Sequence, residues 1–252
     1  DSSAPLSADE ALRALGASLT ERQRALLVLP ADHPSRQIVN TLSVLERPHL
    51  GTLLSAEQRA LAGALYRALL SPRGRADFAG TIAVEGRLDG AVLAIYGEPT
   101  KPGAHAVLMG GHLMLRGGSA AEGPPFGGGV AYGHQIGNHR WRVEGNSFAH
   151  HGDAANALFA ALDPAARARA VLPAPPHELV LQPRGADATF PGVAVSELDD
   201  AGRAAAERLL AAVLGSYPDH ARARAMAAIE THGGPGALRF AVYESHGFYE
   251  GM

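Results

Sequence analysis

The sequence contains no cysteine, so disulfides, thiolate metal sites, iron–sulfur clusters and a cysteine nucleophile are all excluded. It also lacks any apolar run of about 18 residues, the length that a membrane-spanning helix requires. Its net charge of −3 provides no excess of positive charge for binding a phosphate backbone. We therefore expect neither a membrane span nor a nucleic-acid partner.

Three widespread motifs are also missing. The chain has no HExxH, which argues against a zinc peptidase of that type, and no GxSxG, which argues against a serine-hydrolase elbow. The glycine-rich stretch 117–129 does not have the GxGxxG spacing, and no GKS or GKT follows it. A nucleotide-binding loop is therefore not expected there.

Histidine is abundant, with 12 residues. Without cysteine, a transition-metal site has to use His, Asp, Glu or Met, and imidazole is a good ligand for copper and zinc. We predict a copper or zinc site with ligands drawn from four histidines: His112, His134, His139 and His246.

His112 lies in the stretch 110–118, a short apolar segment between two glycine pairs. If this segment is extended, residues two apart lie on the same face, so His112, Met114 and Arg116 point the same way. A histidine and a methionine together suit a soft metal such as copper. Arg116 is predicted to bind an anionic group or a substrate oxygen.

A helix-start signature occurs four times, as a leucine, a capping residue and an arginine four positions after the cap. The capping residues are Thr20, Ser55, Asp163 and Asp199. The spacing is preserved, because Leu19 and Leu162 are 143 residues apart and Leu54 and Leu198 are 144 apart. This pattern indicates an internal duplication.

Strand-like segments repeat as well, since residues 91–98 resemble residues 237–244. We predict an α+β protein made of two pseudo-repeated helix–helix–strand units, residues 1–150 and 151–252, packed as one globule. The units are expected to share a central, mostly antiparallel sheet containing strands 91–97, 107–116 and 237–243. The second unit has no counterpart of the His112 segment, so we expect it to be truncated at its C-terminal end.

Two carboxylates occupy equivalent positions in this repeat, because Glu98 follows Tyr96 by two residues and Glu244 follows Tyr243 by one. They are candidates for a catalytic acid and base of the kind used in glycoside hydrolysis. The simpler interpretation, which we favour, is that each residue only helps to end its strand.

Four segments together resemble the bacterial DUF3500 family: residues 96–99 (Tyr-Gly-Glu-Pro), 110–115, 153–172 and 240–250. Members of this family carry a Gly-His-His-Leu-Ser-Leu-Asn strand, in which this chain has Gly111 for the first histidine and Arg116 for the asparagine. They also continue beyond the Tyr-Glu-Ser-His segment into a histidine-rich strand. The resemblance implies export and suggests a metal site, but it supplies no activity.

The chain begins at Asp1, which fits either a mature form whose signal peptide has been removed or a trimmed chain, and of the two we favour the first. We therefore expect an extracytoplasmic protein, periplasmic or secreted. Two functions remain open at this point: a metal-dependent oxidoreductase or hydrolase, and a non-catalytic protein that binds a metal or another small ligand. The sequence does not determine the oligomeric state.

Overall fold

The structure is a computed structural model. It describes residues 4–39, 45–84, 88–110, 113–118, 130–132, 148–174 and 188–243. Helices and strands are mixed along the chain, so the predicted α+β class is confirmed. The chain divides into two compact units, residues 1–134 with 216–221, and residues 135–215 with 222–252. Within the described ranges, no helix combines the length and the apolar character needed to cross a membrane.

The first unit contains five helices and five strands in its described part. The helices are α1 (Ala8–Ser18), α2 (Glu21–Leu27), α3 (Leu50–Leu53), α4 (Ala56–Ala68) and α5 (Pro72–Val84). The strands are β1 (Val28–Leu29), β2 (Val92–Tyr96), β3 (His105–Gly110), β4 (Leu113–Gly118) and β5 (Val130–Tyr132). Short 3-10 turns span Pro34–Gln37 and Leu88–Gly90.

Helices α2 and α4 begin where the sequence predicts. Thr20 accepts a hydrogen bond from the backbone N–H of Gln23, and Ser55 accepts one from that of Gln58. In both capping boxes the glutamine side chain in turn accepts from the cap residue's own N–H. The two amide groups also bond to each other, at 2.9 Å in each direction. This glutamine pair therefore ties the starts of α2 and α4 together.

The five strands of the first unit form one mixed sheet in the order β1-β2-β3-β4-β5. Strand β1 runs parallel to β2, and the three remaining pairings are antiparallel. The strand predicted at 91–97 is β2, and all five of its residues are buried. Side chains buried on both faces of a strand are typical of a sheet covered on both sides.

The segment predicted as one strand, 107–116, belongs instead to two strands. Strand β3 ends at Gly110 and β4 begins at Leu113, and these two residues pair in an antiparallel ladder. The chain therefore reverses direction between them. Gly110 is suited to the end of β3, because a Cβ there would lie 2.9 Å from the Cα of Ala91. Gly110 therefore marks the end of one strand rather than the start of another.

One face of this sheet changes from apolar to polar along its strands. Val92, Ala94, Val107, Met109 and Met114 form a buried apolar cluster. Further along the same face lie three side chains that alternate with these residues on β2, β3 and β4, of which the one on β2 still packs in the apolar cluster. These are Tyr96, His105 and Arg116, which we call the polar end of the sheet.

The second unit contains four helices and four short strands in its described part. The helices are α6 (Ala149–Ala161), α7 (Pro164–Ala170), α8 (Asp200–Leu214) and α9 (Asp219–Thr231), of which α9 has its first three residues in the first unit. The strands are β6 (Val171–Leu172), β7 (Val193–Ala194), β8 (Arg239–Phe240) and β9 (Val242–Tyr243). Asp163 and Asp199 cap α7 and α8, as the sequence predicts.

The segment 237–243 does not join a large sheet, so this part of the predicted architecture is wrong. Its first part, β8, pairs with β7, and its second part, β9, pairs with β6, in two separate two-stranded sheets. Arg239 is exposed and Val242 and Tyr243 are only half-buried. Ala241 lies between β8 and β9 and belongs to neither strand. Each strand has only two described residues, which is too short for the centre of a larger sheet.

The arginine of each helix-start signature contacts backbone near its own helix. Arg59 Nη1 donates to the carbonyl of Leu54 at 2.7 Å, and Arg203 Nη1 donates to the carbonyl of Leu198. Arg24 and Arg167 donate to carbonyls at the end of the preceding helix, those of Gly16 and Phe159 among them. These four arginines add donors to carbonyl groups at helix ends, where the backbone provides few. The carbonyls of Gly16 and Phe159 also accept from a backbone N–H.

Candidate functional site

Most of the predicted site residues lie outside the described ranges. They are His112, His134, His139, Glu244 and His246. Their assignment as metal ligands and as a catalytic acid stays a prediction. Glu98 and Arg116 are described, and their surroundings differ sharply.

Glu98 is held in an ion pair near the surface. Arg24 Nη1 lies 2.8 Å from Oε1 and 3.0 Å from Oε2, and the Thr100 hydroxyl donates to Oε1 at 2.9 Å. Hydrogen bonds from Arg24, then from Thr100, lower the pKa of Glu98. The group is therefore a carboxylate at neutral pH, whereas a general acid needs a raised pKa. Its described contacts link α2 to the turn after β2, and a catalytic role stays a prediction.

Arg116 lies on β4 and is only 7% exposed. Its Nη1 donates to the carbonyl of Ile38 at 2.8 Å, and its Nη2 donates to the carbonyl of Arg36. Its Nε is buried and has no hydrogen-bond partner among the described residues. Burial and the positive charge of Arg36 lower the pKa of Arg116, and only Tyr96 acts in the opposite direction. The guanidinium group thus has no carboxylate partner in the described part of the chain.

His105 lies beside it on β3 and is also 7% exposed. It pairs with Tyr96 across the ladder with β2, and it is a diagonal neighbour of Arg116 across the ladder with β4. Its Nε2 is buried without a hydrogen-bond partner among the described residues. Burial, followed by the charges of Arg116 and Arg36, lowers the pKa of His105 from 6.5 to about 3. The ring is therefore neutral at physiological pH.

The segment 30–39 packs against this polar end through a short chain of hydrogen bonds. The Ser35 backbone N–H donates to His33 Nδ1, so this nitrogen accepts, and the Ser35 hydroxyl donates to it at 2.8 Å. The Tyr96 hydroxyl then donates to Ser35 Oγ at 2.8 Å. Together with the two carbonyls that Arg116 binds, these contacts fix the segment over the sheet.

The second unit brings two imidazoles together at the start of α6. His150 and His151 have ring centroids 4.2 Å apart, and each offers a ring nitrogen within 4.8 Å of the other's. His151 is 9% exposed and its ring also contacts Phe148, with centroids 5.6 Å apart. A Zn–N bond is about 2.0–2.1 Å long, so two nitrogens on one ion are at most about 4.2 Å apart. The bound of 4.8 Å on the separation of the two ring nitrogens is close to that limit.

Sequence reasoning singled out neither His105 nor the pair His150–His151 as functional. A signal was present for His105, because it alternates with Val107 and Met109 in the same way as Arg116 alternates with Met114. The adjacency of His150 and His151 was visible too. Adjacent residues of a helix usually diverge, so the sequence alone does not predict that these two rings lie close together.

One of three comparisons with known proteins identifies a family. A family model described as a protein of unknown function (DUF3500) matches residues 5–246, which is nearly the whole chain. Searches of curated proteins and of solved structures find no match to the chain. The segments that resembled this family in the sequence lie almost entirely inside the matched range, and on this match the chain belongs to the DUF3500 family.

Proposed function

We propose that the protein binds a transition-metal ion, copper or zinc, through histidine side chains. The observation that carries this proposal is the pair His150 and His151, whose ring nitrogens lie within 4.8 Å of each other. Neutral imidazole is a good ligand for both metals, and the chain has no thiolate that could compete. The histidines predicted from the sequence, His112, His134, His139 and His246, are candidates for further ligands.

The polar end of the sheet is a poor alternative for a metal. His105 has a free ring nitrogen there, but the guanidinium groups of Arg116 and Arg36 act on it directly. A divalent cation at that nitrogen would face two positive charges in a buried environment, where charges interact more strongly than in water. This contrast favours the His150–His151 pair as the metal site.

We expect the double variant His150→Ala/His151→Ala to bind Zn²⁺ or Cu²⁺ more than about tenfold more weakly than the wild type, since two of its ligands are removed. The measurement is isothermal titration calorimetry on protein stripped with a chelator, with metal content checked by mass spectrometry. The matched control is His232→Ala, which removes an exposed histidine and should leave binding unchanged.

Two results would count against the proposal: a wild type that takes up neither metal, or a double variant that binds as tightly as the wild type. Single variants at His112, His134, His139 or His246 could abolish binding while the double variant keeps it. In that case the metal site is assigned to the histidines predicted from the sequence. Catalysis and export stay predictions, as neither has an observation of its own in the structure.

We also infer that the two units are copies of one duplicated unit. In the first unit, β1 pairs in parallel with β2 so that Leu29 faces Tyr96. In the second, β6 pairs in parallel with β9 so that Leu172 faces Tyr243. Each short strand directly follows a helix of seven residues, α2 or α7.

Hydrogen bonds between distant parts of each unit support the same equivalence. The Leu50 N–H donates to the carbonyl of Ala91 at 2.8 Å, and the Val195 N–H donates to that of Leu238 at 2.9 Å. Helix α1 packs on α4 as α6 packs on α8. An unrelated pair of α+β units would have no reason to share these contacts in the same chain order.

A crystal structure of the protein provides the test of this inference. We expect α1, α2, α4 and α5 to superpose on α6, α7, α8 and α9 in chain order, with β1 and β2 on β6 and β9. A superposition that requires a different element order, or that places Tyr96 away from Tyr243, would contradict the duplication.

A further inference from the structure

We propose that the polar end of the sheet, formed by Tyr96, His105 and Arg116, binds an oxyanion, the carboxylate or phosphate group of a small molecule. This site is separate from the histidine pair of α6 and does not depend on a bound metal. The argument rests on two side chains that are more than nine-tenths buried and that each retain an unused nitrogen.

The guanidinium group of Arg116 is only partly satisfied by its surroundings. Its described acceptors are the carbonyls of Ile38 and Arg36, which bind the two Nη atoms. Its Nε is buried and unused. A carboxylate or phosphate binds an arginine through two parallel hydrogen bonds, for which Nε and an adjacent Nη are a suitable pair of donors. An oxyanion would therefore satisfy a donor that the protein leaves without an acceptor.

The charges around this guanidinium group also favour an anion. Arg36 adds a second positive charge that acts on both Arg116 and His105. No carboxylate of the described chain pairs with either arginine, whereas Arg24, Arg73 and Arg169 each have an acidic partner. A buried cation without an opposite charge is costly, and a bound anion removes that cost.

His105 and Tyr96 complete the set of groups near the guanidinium. The neutral His105 ring can donate from Nε2 in the tautomer that carries its proton there, and this atom is buried and unused. The Tyr96 hydroxyl is already engaged with Ser35 and so links the site to segment 30–39. Since the unused nitrogens are shielded from solvent, an anion enters only when that segment moves away.

The test follows the Arg116 Nε–H resonance in proton–nitrogen NMR spectra of chelator-treated wild-type protein. Inorganic phosphate and sodium acetate are titrated separately at constant ionic strength, with chloride as the balancing ion. We expect a saturable downfield shift of this resonance with at least one of the two anions. A response to phosphate alone assigns a phosphoryl group, a response to acetate alone assigns a carboxylate, and a response to both supports the shared oxyanion chemistry.

Variants provide the second arm of the test. Arg116→Lys keeps the charge but loses the planar pair of donors, so we expect about tenfold weaker binding of the same anion. The matched control Arg22→Lys changes an exposed arginine of the same unit and should bind as the wild type does. If Arg116→Lys does not fold, the Arg116 Nε–H resonance is assigned through the backbone of the wild-type protein. The wild-type titration then tests the proposal without the variant.

The proposal is overturned if the Arg116 resonance does not shift saturably with either anion. Equal loss of affinity in Arg22→Lys and Arg116→Lys overturns it as well, because it would indicate general attraction to surface charge. Neither result bears on the metal site, as all titrations use protein from which metal has been removed.

Discussion

Replacing Gly192 by alanine is expected to lower the free energy of unfolding by about 3 kcal/mol or more. Gly192 precedes β7 and has φ = +96°, a conformation that residues with a side chain rarely adopt. An added Cβ would also lie 2.3 Å from the carbonyl oxygen of Phe240, which is backbone and cannot rotate away. The two penalties add, and relieving the contact would open the β7–β8 pairing.

The measurement is urea unfolding followed by circular dichroism, with Gly63→Ala as the matched control. Gly63 lies inside α4, where a Cβ would meet nothing closer than 3.4 Å. Alanine there should raise stability by about 0.5–1 kcal/mol, because glycine is a poor helix former. Unchanged unfolding of Gly192→Ala would show that the turn before β7 tolerates a side chain.

Acid is expected to destabilise the fold through His105. The pKa of this histidine is lowered to about 3 in the folded protein, whereas the unfolded chain titrates near 6.5. Below pH 6.5 the unfolded state therefore binds one more proton than the folded state. The free energy of unfolding falls as the pH drops from about 6.5 towards 3, by up to about 1.4 kcal/mol per pH unit. Above about pH 6.5, His105 makes no contribution to the pH dependence.

The variant His105→Gln isolates this effect, because it removes the titrating ring while keeping a polar side chain. We expect its unfolding free energy to depend less steeply on pH between 6 and 4 than that of the wild type. The control His232→Gln changes an exposed histidine and should retain the wild-type slope. Parallel pH profiles for the wild type and His105→Gln would rule out His105 as the source of acid sensitivity.

Local chemistry made the helix starts predictable. Each cap depends on a residue three positions further along the chain, so Thr20, Ser55, Asp163 and Asp199 could be identified without any tertiary information. Strand β2 was also predictable from local sequence, because it is a short apolar run with helical and turn signals on either side.

The surroundings of the candidate sites were not predictable in this way. The partner of Glu98 is Arg24, 74 residues away, and the partner of Tyr96 is Ser35, 61 residues away. No spacing rule links such pairs, because they meet only after the sheet has formed. Glu98 looked like one of two repeated carboxylates, whereas the structure gives it a cationic partner.

The pairing of strands was also hidden. Alternation along 110–118 predicted correctly that Met114 and Arg116 share a face, but not that the chain reverses before Leu113. The repeat suggested that 237–243 would behave like 91–97. That segment forms two separate short strands instead, β8 paired with β7 and β9 paired with β6. Strand pairing of this kind depends on packing rather than on residue pattern.

The arginines of the four helix-start signatures have a kinetic consequence. Their carbonyl contacts join residues only five to eight positions apart, as in Arg59 with Leu54 and Arg24 with Gly16. Closing such short loops costs little chain entropy, whereas pairing Val28 with Ile95 encloses a loop many times longer. Successive helices can therefore be oriented against one another early, and the sheet is left as the slow step of folding.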